Sequence, residues 1–176
     1  EAKKLRTGLI VMGTRGASGL KKYVLGSNTG SVIEISHVPV LAVPELAEFK
    51  NFNNVVYATD LRHINSELKL LIPYLEMFNS KVHLLHITPS LKEVSALEKK
   101  IEAAITKEGL TNVVGKVIVN KEIDEAIEYY VKASKADLLA MFTHDTTFYE
   151  RLFDRSMTRK MAFQSKIPLL AFRRKD

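Results

Sequence analysis

The chain has 176 residues, of which 46% are hydrophobic, a formal net charge of +6 at pH 7 and no cysteine. A chain of this length can bury a sizeable core; no apolar run is long enough for a membrane span, and the lack of cysteine excludes disulfides and thiolate metal sites. The basic residues are scattered and not interleaved with aromatic ones, so we expect neither a nucleic-acid nor a membrane partner, and a cytoplasmic location.

Residues 1–48 predict only the C-terminal part of an α/β domain. An apolar strand, Leu9–Met12, is followed by a glycine-containing loop, a helix from about Asn28 to Ser36 and a second strand, Val40–Val43. These few elements bury too little surface to fold independently. We therefore expect the rest of this first domain to lie upstream of Glu1.

Residues 53–176 predict a complete second α/β domain. Five apolar runs alternate with helical patterns, which is typical of a parallel sheet with crossover helices. The runs are nearly continuous, as in strands buried on both faces. The predicted strands are Val55–Thr59, Val82–Thr88, Val113–Val119, Leu138–Phe142 and Leu169–Phe172.

Four helices are predicted between these strands. The first begins at Asn65 as its N-cap, and Pro73 inside it is expected to kink or break it. The second has Ser95 and Glu98 as a capping box and ends at Gly109. The remaining two are predicted at 124–134, with Ile123 facing inward, and from Ser156 to the residue before Ile167.

The chain contains an internal repeat. A shift of 129 positions places Leu9–Val43 on Leu138–Phe172 without a gap. Because the second domain begins near Asn54, the same shift predicts that about 75 residues of the first domain precede this chain. The identical pairs include Met12/Met141, Thr14/Thr143, Ser27/Ser156, Thr29/Thr158, Pro39/Pro168, Leu41/Leu170 and Ala42/Ala171.

The loop after the first strand carries a glycine motif that indicates phosphate binding. Glycine lets the main chain approach a ligand closely, and a helix start offers unpaired N–H groups and the positive end of its dipole. No Gly-Lys-Ser/Thr follows, so this is not a P-loop. A tight turn is the alternative interpretation, and Arg15 either contacts phosphate or is solvated. The candidate binding residues are Gly13, Thr14, Arg15, Gly16, Gly26, Ser27 and Asn28.

The second copy of the repeat has lost all three glycines. Phe142, Asp145 and Arg155 replace Gly13, Gly16 and Gly26. We expect bulky side chains to fill the cavity that would hold a nucleotide and Asp145 to repel phosphate. The alternative is a loop that packs outward at a surface or dimer contact. The bulky residues that follow are Phe148, Tyr149, Leu152 and Phe153.

The remaining titratable residues do not predict catalysis or a metal site. Asp60 ends a strand and is either a ligand contact or a helix cap. His83 and His86 face opposite sides of one strand, so they are expected to pack or hydrogen-bond separately. His144 and Asp145 have no third ligand or nucleophile beside them.

These motifs resemble those of the universal stress proteins. Nucleotide-binding members of that family carry G-x-x-G, nine residues and G-S/T after their fourth strand, and Gly13–Ser27 matches this spacing in full. The resemblance extends over essentially the whole chain. It includes Leu9–Met12, His37–Pro44, Val55–Asp60 and Lys81–Ile87.

The resemblance implies a tandem protein with two five-stranded parallel α/β sheets of order 3-2-1-4-5 and helices on both faces. The implied ligand is ATP, with or without Mg²⁺, bound by the first domain across the ends of strands 1 and 4. We expect an ATP-binding regulatory protein of the stress response rather than an enzyme. The alternatives are an interaction module without nucleotide and a slow ATP hydrolase.

The last strands of the two domains, Val40–Val43 and Leu169–Phe172, are predicted sheet edges. Unpaired edges expose backbone hydrogen-bonding groups, so we expect these two strands to pair and join the domains. We also expect a homodimer and unidentified protein clients.

Overall fold

The computed structural model describes residues 8–14, 27–48, 50–143 and 167–174. These residues form α/β structure with an additional 3₁₀ turn at Leu91–Glu93. The strands are β1 (Ile10–Gly13), β2 (Val40–Val43), β3 (Asn54–Ala58), β4 (Lys81–Thr88), β5 (Val113–Val119), β6 (Leu138–Thr143) and β7 (Leu169–Arg173). The helices are α1 (Ser27–Ile35), α2 (Ile64–Glu76), α3 (Val94–Lys107) and α4 (Ile123–Ala133).

The chain divides into two compact units. The first comprises residues 1–49 and 140–176, and the second comprises residues 50–139. All seven predicted strands are present within one residue of their expected ends. The fourth predicted helix of the second domain, from Ser156, lies outside the described residues. No helix in the described ranges is long and apolar enough to cross a membrane.

The first unit has the strand order β1-β2-β7-β6. Strand β1 pairs in parallel with β2, and β2 pairs antiparallel with β7. In the antiparallel pair Leu41 lies opposite Leu170, and Val40 and Ala42 lie opposite Ala171 and Leu169. Because Leu41 and Leu170 are equivalent in the repeat, this register has the pseudo-two-fold symmetry of the repeat itself.

The second unit contains β3, β4 and β5 in that order, all parallel. Its core is formed by the strands and by one face of α2, which buries Leu68, Leu71 and Leu75. Asp137 accepts hydrogen bonds from the Asn53 and Asn54 amides, which fixes the start of β3. The parallel strands place the carboxyl ends of β3 and β4 side by side.

Two of the three predicted helix starts in the second unit were wrong, whereas the start of α4 at Ile123 was predicted to within one residue. The chain turns at Leu61 with φ of 62°, so α2 begins at Ile64 with His63 as its N-cap, and Asn65 lies inside the first turn. A 3₁₀ turn leads directly into α3, and its Leu91 carbonyl accepts the Val94 N–H. Helix α3 therefore begins at Val94 with Glu93 as its N-cap and no side-chain cap, and Ser95 lies inside the first turn instead of capping it.

Other local predictions had mixed outcomes. Pro73 does not break α2, which continues to Glu76. Gly109 ends α3 as predicted, with φ of 65° and with hydrogen bonds from the Gly109 and Leu110 amides back to Thr106 and Ile105. This is a Schellman motif. Ile123 was predicted to face inward, but it is 43% exposed at the start of α4.

Gly115 on β5 permits the close packing of α3 on this strand. A Cβ atom at Gly115 would lie 2.4 Å from Cγ2 of Ile101, which is itself 2% exposed. The β-branched Ile101 side chain is stiff at χ1 and cannot swing aside freely. Glycine is therefore required here by the lack of space.

Gly115→Ala is expected to lower the free energy of unfolding by about 1–3 kcal/mol, the usual cost of overpacking. Chemical denaturation of both proteins measures this difference. Gly8→Ala is the matched control and should be nearly neutral, because a Cβ at Gly8 meets nothing within 4 Å. If Ile101→Ala does not reduce the cost of Gly115→Ala in the double variant, the steric explanation is wrong.

Candidate functional site

The end of β1 and the start of α1 form the described part of the glycine-loop site. The Thr29 hydroxyl donates a hydrogen bond of 2.9 Å to the Gly13 carbonyl, and Thr29 is buried. The Thr14 amide donates to the Val43 carbonyl at 3.0 Å. The first bond joins the end of β1 to the first turn of α1, and the second joins it to the end of β2.

The first turn of α1 is suited to an anion. It contains Ser27, Asn28 and Thr29, has no acidic residue, and Asn28 is exposed. The first N–H groups of a helix have no partner within the helix and carry the positive end of its dipole. Gly13 and Thr14 lie beside this turn through Thr29, whereas Arg15, Gly16 and Gly26 lie outside the described residues.

The two repeats differ most clearly at the positions of Gly13 and Val43. These two residues are register partners at the ends of β1 and β2, and Gly13 is exposed. Their equivalents, Phe142 and Phe172, are buried and stack with ring centroids 4.5 Å apart. Aromatic rings therefore fill, in the second copy, positions where the first copy has glycine and valine. The other predicted cavity-filling residues, 148–153, lie outside the described residues.

A second polar cluster lies at the carboxyl end of β3, in the other unit, and it is centred on Thr59. The Thr59 amide donates to the Leu85 carbonyl at 3.0 Å. Its carbonyl lies 2.8 Å from Nδ1 of His86. A carbonyl only accepts, so Nδ1 of His86 carries the proton. The Thr59 hydroxyl accepts the Leu61 amide at 3.0 Å.

Helix α2 contributes a buried glutamate, Glu67, to this cluster. Glu67 is 2% exposed, and its Oε2 accepts hydrogen bonds from the Tyr57 hydroxyl and, at 3.2 Å, from the Thr59 hydroxyl. A buried carboxylate without donors would be strongly destabilising. The network Tyr57–Glu67–Thr59 therefore joins the carboxyl-terminal half of β3, the first half of α2 and the turn at Leu61.

Asp60 lies on the exposed side of the same turn. One of its oxygens accepts the Arg62 amide at 2.9 Å, and the other lies 3.7 Å from Nε of Arg62. The N-cap of α2 is His63, so Asp60 caps a turn and not the helix. An exposed ion pair of this kind contributes little to stability.

The two histidines of β4 bind different partners, as predicted. His83 Nδ1 lies 3.0 Å from the Tyr130 hydroxyl of α4, whereas His86 reaches Thr59. Burial and then the nearby Lys81 lower the pKa of His83, and burial raises the pKa of Tyr130. Within the described residues no group of His, Asp or Glu could hold a metal ion.

Sequence reasoning missed Thr29, Glu67 and Tyr57. The identity of Thr29 with Thr158 in the repeat was a signal that the hydroxyl matters. Glu67 is a charged residue among the buried apolar positions of α2, and such a position requires hydrogen-bond partners. Tyr57 lay within an apolar strand and gave no separate signal.

The chain matches the sequence model of the universal stress protein family over residues 1–44 and 51–173. No curated protein matches it.

Several solved structures share the fold. A universal stress protein from Archaeoglobus fulgidus superimposes with a TM-score of 0.68 at 21% identity over 98% of this chain, which spans 65% of that protein's length. A Pseudomonas aeruginosa protein of unknown function gives 0.62 at 12% identity over the same shares of both chains. A universal stress protein in complex with cAMP gives 0.50 at 20% identity, covering 72% of this chain and all of its own.

Tyr57→Phe is expected to lower the free energy of unfolding by about 1–3 kcal/mol, because it removes a donor from the buried Glu67 carboxylate. In a Glu67→Gln background the same change should cost less, since no buried charge is left with fewer donors. A double-mutant cycle in urea measures the coupling. Tyr129→Phe is the control and should be neutral, because Tyr129 is 73% exposed. Equal costs in both backgrounds would contradict the network.

The lowered pKa of His83 predicts that this residue makes the free energy of unfolding depend on pH. Because its pKa is lowered in the folded chain, the unfolded state binds more protons near the ordinary value of about 6.5. This contribution is present above that value and is lost as the pH falls toward the lowered folded pKa. His83→Gln should therefore flatten the fall in unfolding free energy between neutral and mildly acidic pH.

The second cause of the shift can be tested separately. Lys81→Ala should bring the pKa of His83 closer to its ordinary value, measured by NMR titration of the imidazole. An unchanged pKa in this variant would contradict the contribution of Lys81.

Proposed function

The chain belongs to the universal stress protein family, and we propose that it is an ATP-binding regulatory protein of the stress response. In this proposal the glycine loop of residues 1–48 binds the nucleotide, and residues 53–176 form a structural or interaction-mediating domain. We further propose that the protein is cytoplasmic and not an enzyme.

The observation that carries this proposal is the difference between the two copies of the repeat. The first copy has an exposed Gly13 beside an anion-receptive helix start, and the second has the stacked Phe142 and Phe172 at the equivalent positions. Close approach of a phosphate to the main chain requires a small residue. Only the first copy meets this requirement at its strand end.

The hydrogen bonds of the site support different roles for its residues. The Thr14 amide is already bonded to Val43, so Thr14 would contribute its hydroxyl rather than its N–H. The amides of Ser27 and Asn28 open α1, and we propose that they face the phosphates together with Arg15, Gly16 and Gly26. Thr29 would not touch the ligand but would hold the Gly13 carbonyl away from it.

The ligand class is a nucleotide. The structure in complex with cAMP shares the fold of this chain, which supports an adenine nucleotide. We propose ATP, with or without Mg²⁺, because the spacing from Gly13 to Ser27 matches that of the nucleotide-binding members of the family.

We also propose that two domains, each with strand order 3-2-1-4-5, associate through their last strands. The antiparallel pairing of β2 with β7 supports this, because its register is symmetric about the equivalent residues Leu41 and Leu170. A symmetric contact between repeated units is expected when each uses the same patch.

Gly16→Asp is expected to weaken ATP binding by about tenfold or more, since it introduces at the phosphate loop the negative charge that the second copy carries. The measurement is nucleotide retained by the purified full-length protein, released by denaturation and quantified by mass spectrometry, together with equilibrium dialysis against ATP.

Asp145→Gly, at the equivalent position of the second copy, is the matched control and should leave retention unchanged. Full-length protein that binds no nucleotide would favour the pure interaction module. Release of phosphate from ATP that Gly16→Asp abolishes would favour the slow hydrolase.

A further inference from the structure

Helix α2 carries a second apolar stripe on the side opposite its buried face. Leu70 and Met77 are 55% and 71% exposed, and Pro73 between them is also exposed. Their spacing of three and four residues places them on one face of the helix, and Met77 continues the helical backbone geometry. We call these three residues the outer stripe. Most apolar residues of a helix face the core, so three exposed apolar side chains on one helix face offer a small surface that a partner can cover.

Two opposite charges flank the outer stripe on one side. Lys69 and Glu76 are both exposed and lie seven residues apart, which is two helical turns, or about 10.5 Å along the axis. The midpoint between them falls beside Pro73, at the centre of the stripe. A two-fold axis through this midpoint would exchange the positions of the two charges.

We propose that the outer stripe is the docking site for a second copy of this chain, with the two α2 helices packed antiparallel. In this arrangement Lys69 faces the partner's Glu76 in both directions, while Leu70 of each copy packs beside the partner's Met77. The inference deepens the proposed interaction role of residues 53–176 and rests on it.

The charge pattern favours a second copy over another occupant. An acidic peptide would be attracted by Lys69 but repelled by Glu76, and a basic peptide would meet the opposite conflict. The stripe is complementary to itself only in the antiparallel orientation, which is the isologous contact of a two-fold dimer. A single helix face is a small interface, so the dimer is expected to be weak, with the charges setting its register.

Charge reversal tests this arrangement. Lys69→Glu and Glu76→Lys should each shift the dimer dissociation constant upward by about tenfold, since each places two like charges opposite each other twice. An equimolar mixture of the two variants should restore the wild-type mass, because every facing pair in the mixed dimer is again opposite in charge. The double variant should also dimerise as the wild type does. Sedimentation equilibrium over a concentration series at low salt gives the mass.

Two variants complete the design. Leu70→Glu should abolish the dimer, and Lys99→Glu, an exposed lysine on α3, should leave it unchanged. Circular dichroism verifies that each variant is folded. A monomeric wild type at all concentrations, or single variants that are not rescued by mixing, would overturn the proposal. The mass and the retention of ATP are measured separately. If the wild-type protein dimerises but retains no ATP, that result contradicts only the proposed nucleotide site.

Discussion

The fold of the first unit depends on the antiparallel pairing of strands β2 and β7. These strands bury Val40, Ala42 and the run Leu169–Phe172 almost completely, which is possible only if their peptide groups are hydrogen-bonded. Strand β1 in turn pairs with β2, and the Gly13 end of β1 holds α1 through Thr29. The position of the Gly13 end of β1 therefore depends on a contact between the last strands of two repeated sequences.

The pseudo-symmetry of this pairing makes the difference between the repeats informative. The same backbone register ends in Gly13 beside Val43 in one copy and in stacked Phe142 and Phe172 in the other. Stacked aromatic rings add packing energy to a strand end, whereas glycine adds none. The first copy gives up that packing, as expected for a strand end that leaves room for a ligand.

The strands could be predicted from the sequence because continuous apolar runs specify buried parallel strands locally. The end of α3 at Gly109 could also be predicted from the local sequence, since only glycine adopts positive φ readily. The starts of α2 and α3 could not be predicted in this way, because they depend on the turn at Leu61 and on the 3₁₀ turn before α3. The glycine motif predicted a candidate site, but the bond from Thr29 to Gly13 spans 16 residues and could be seen only in the fold.

Helix α2 connects the buried polar network of the second unit with the outer stripe. On its inner face Glu67 holds Thr59, and through the Leu61 amide it fixes the turn that carries Asp60. Its outer face presents the stripe between Leu70 and Met77. A buried carboxylate is stable only while its donors stay in place, so rotation or translation of α2 would break the bonds to Tyr57 and Thr59. The network therefore fixes the helix in one position, and a preorganised helix face associates at a lower entropic cost than a mobile one.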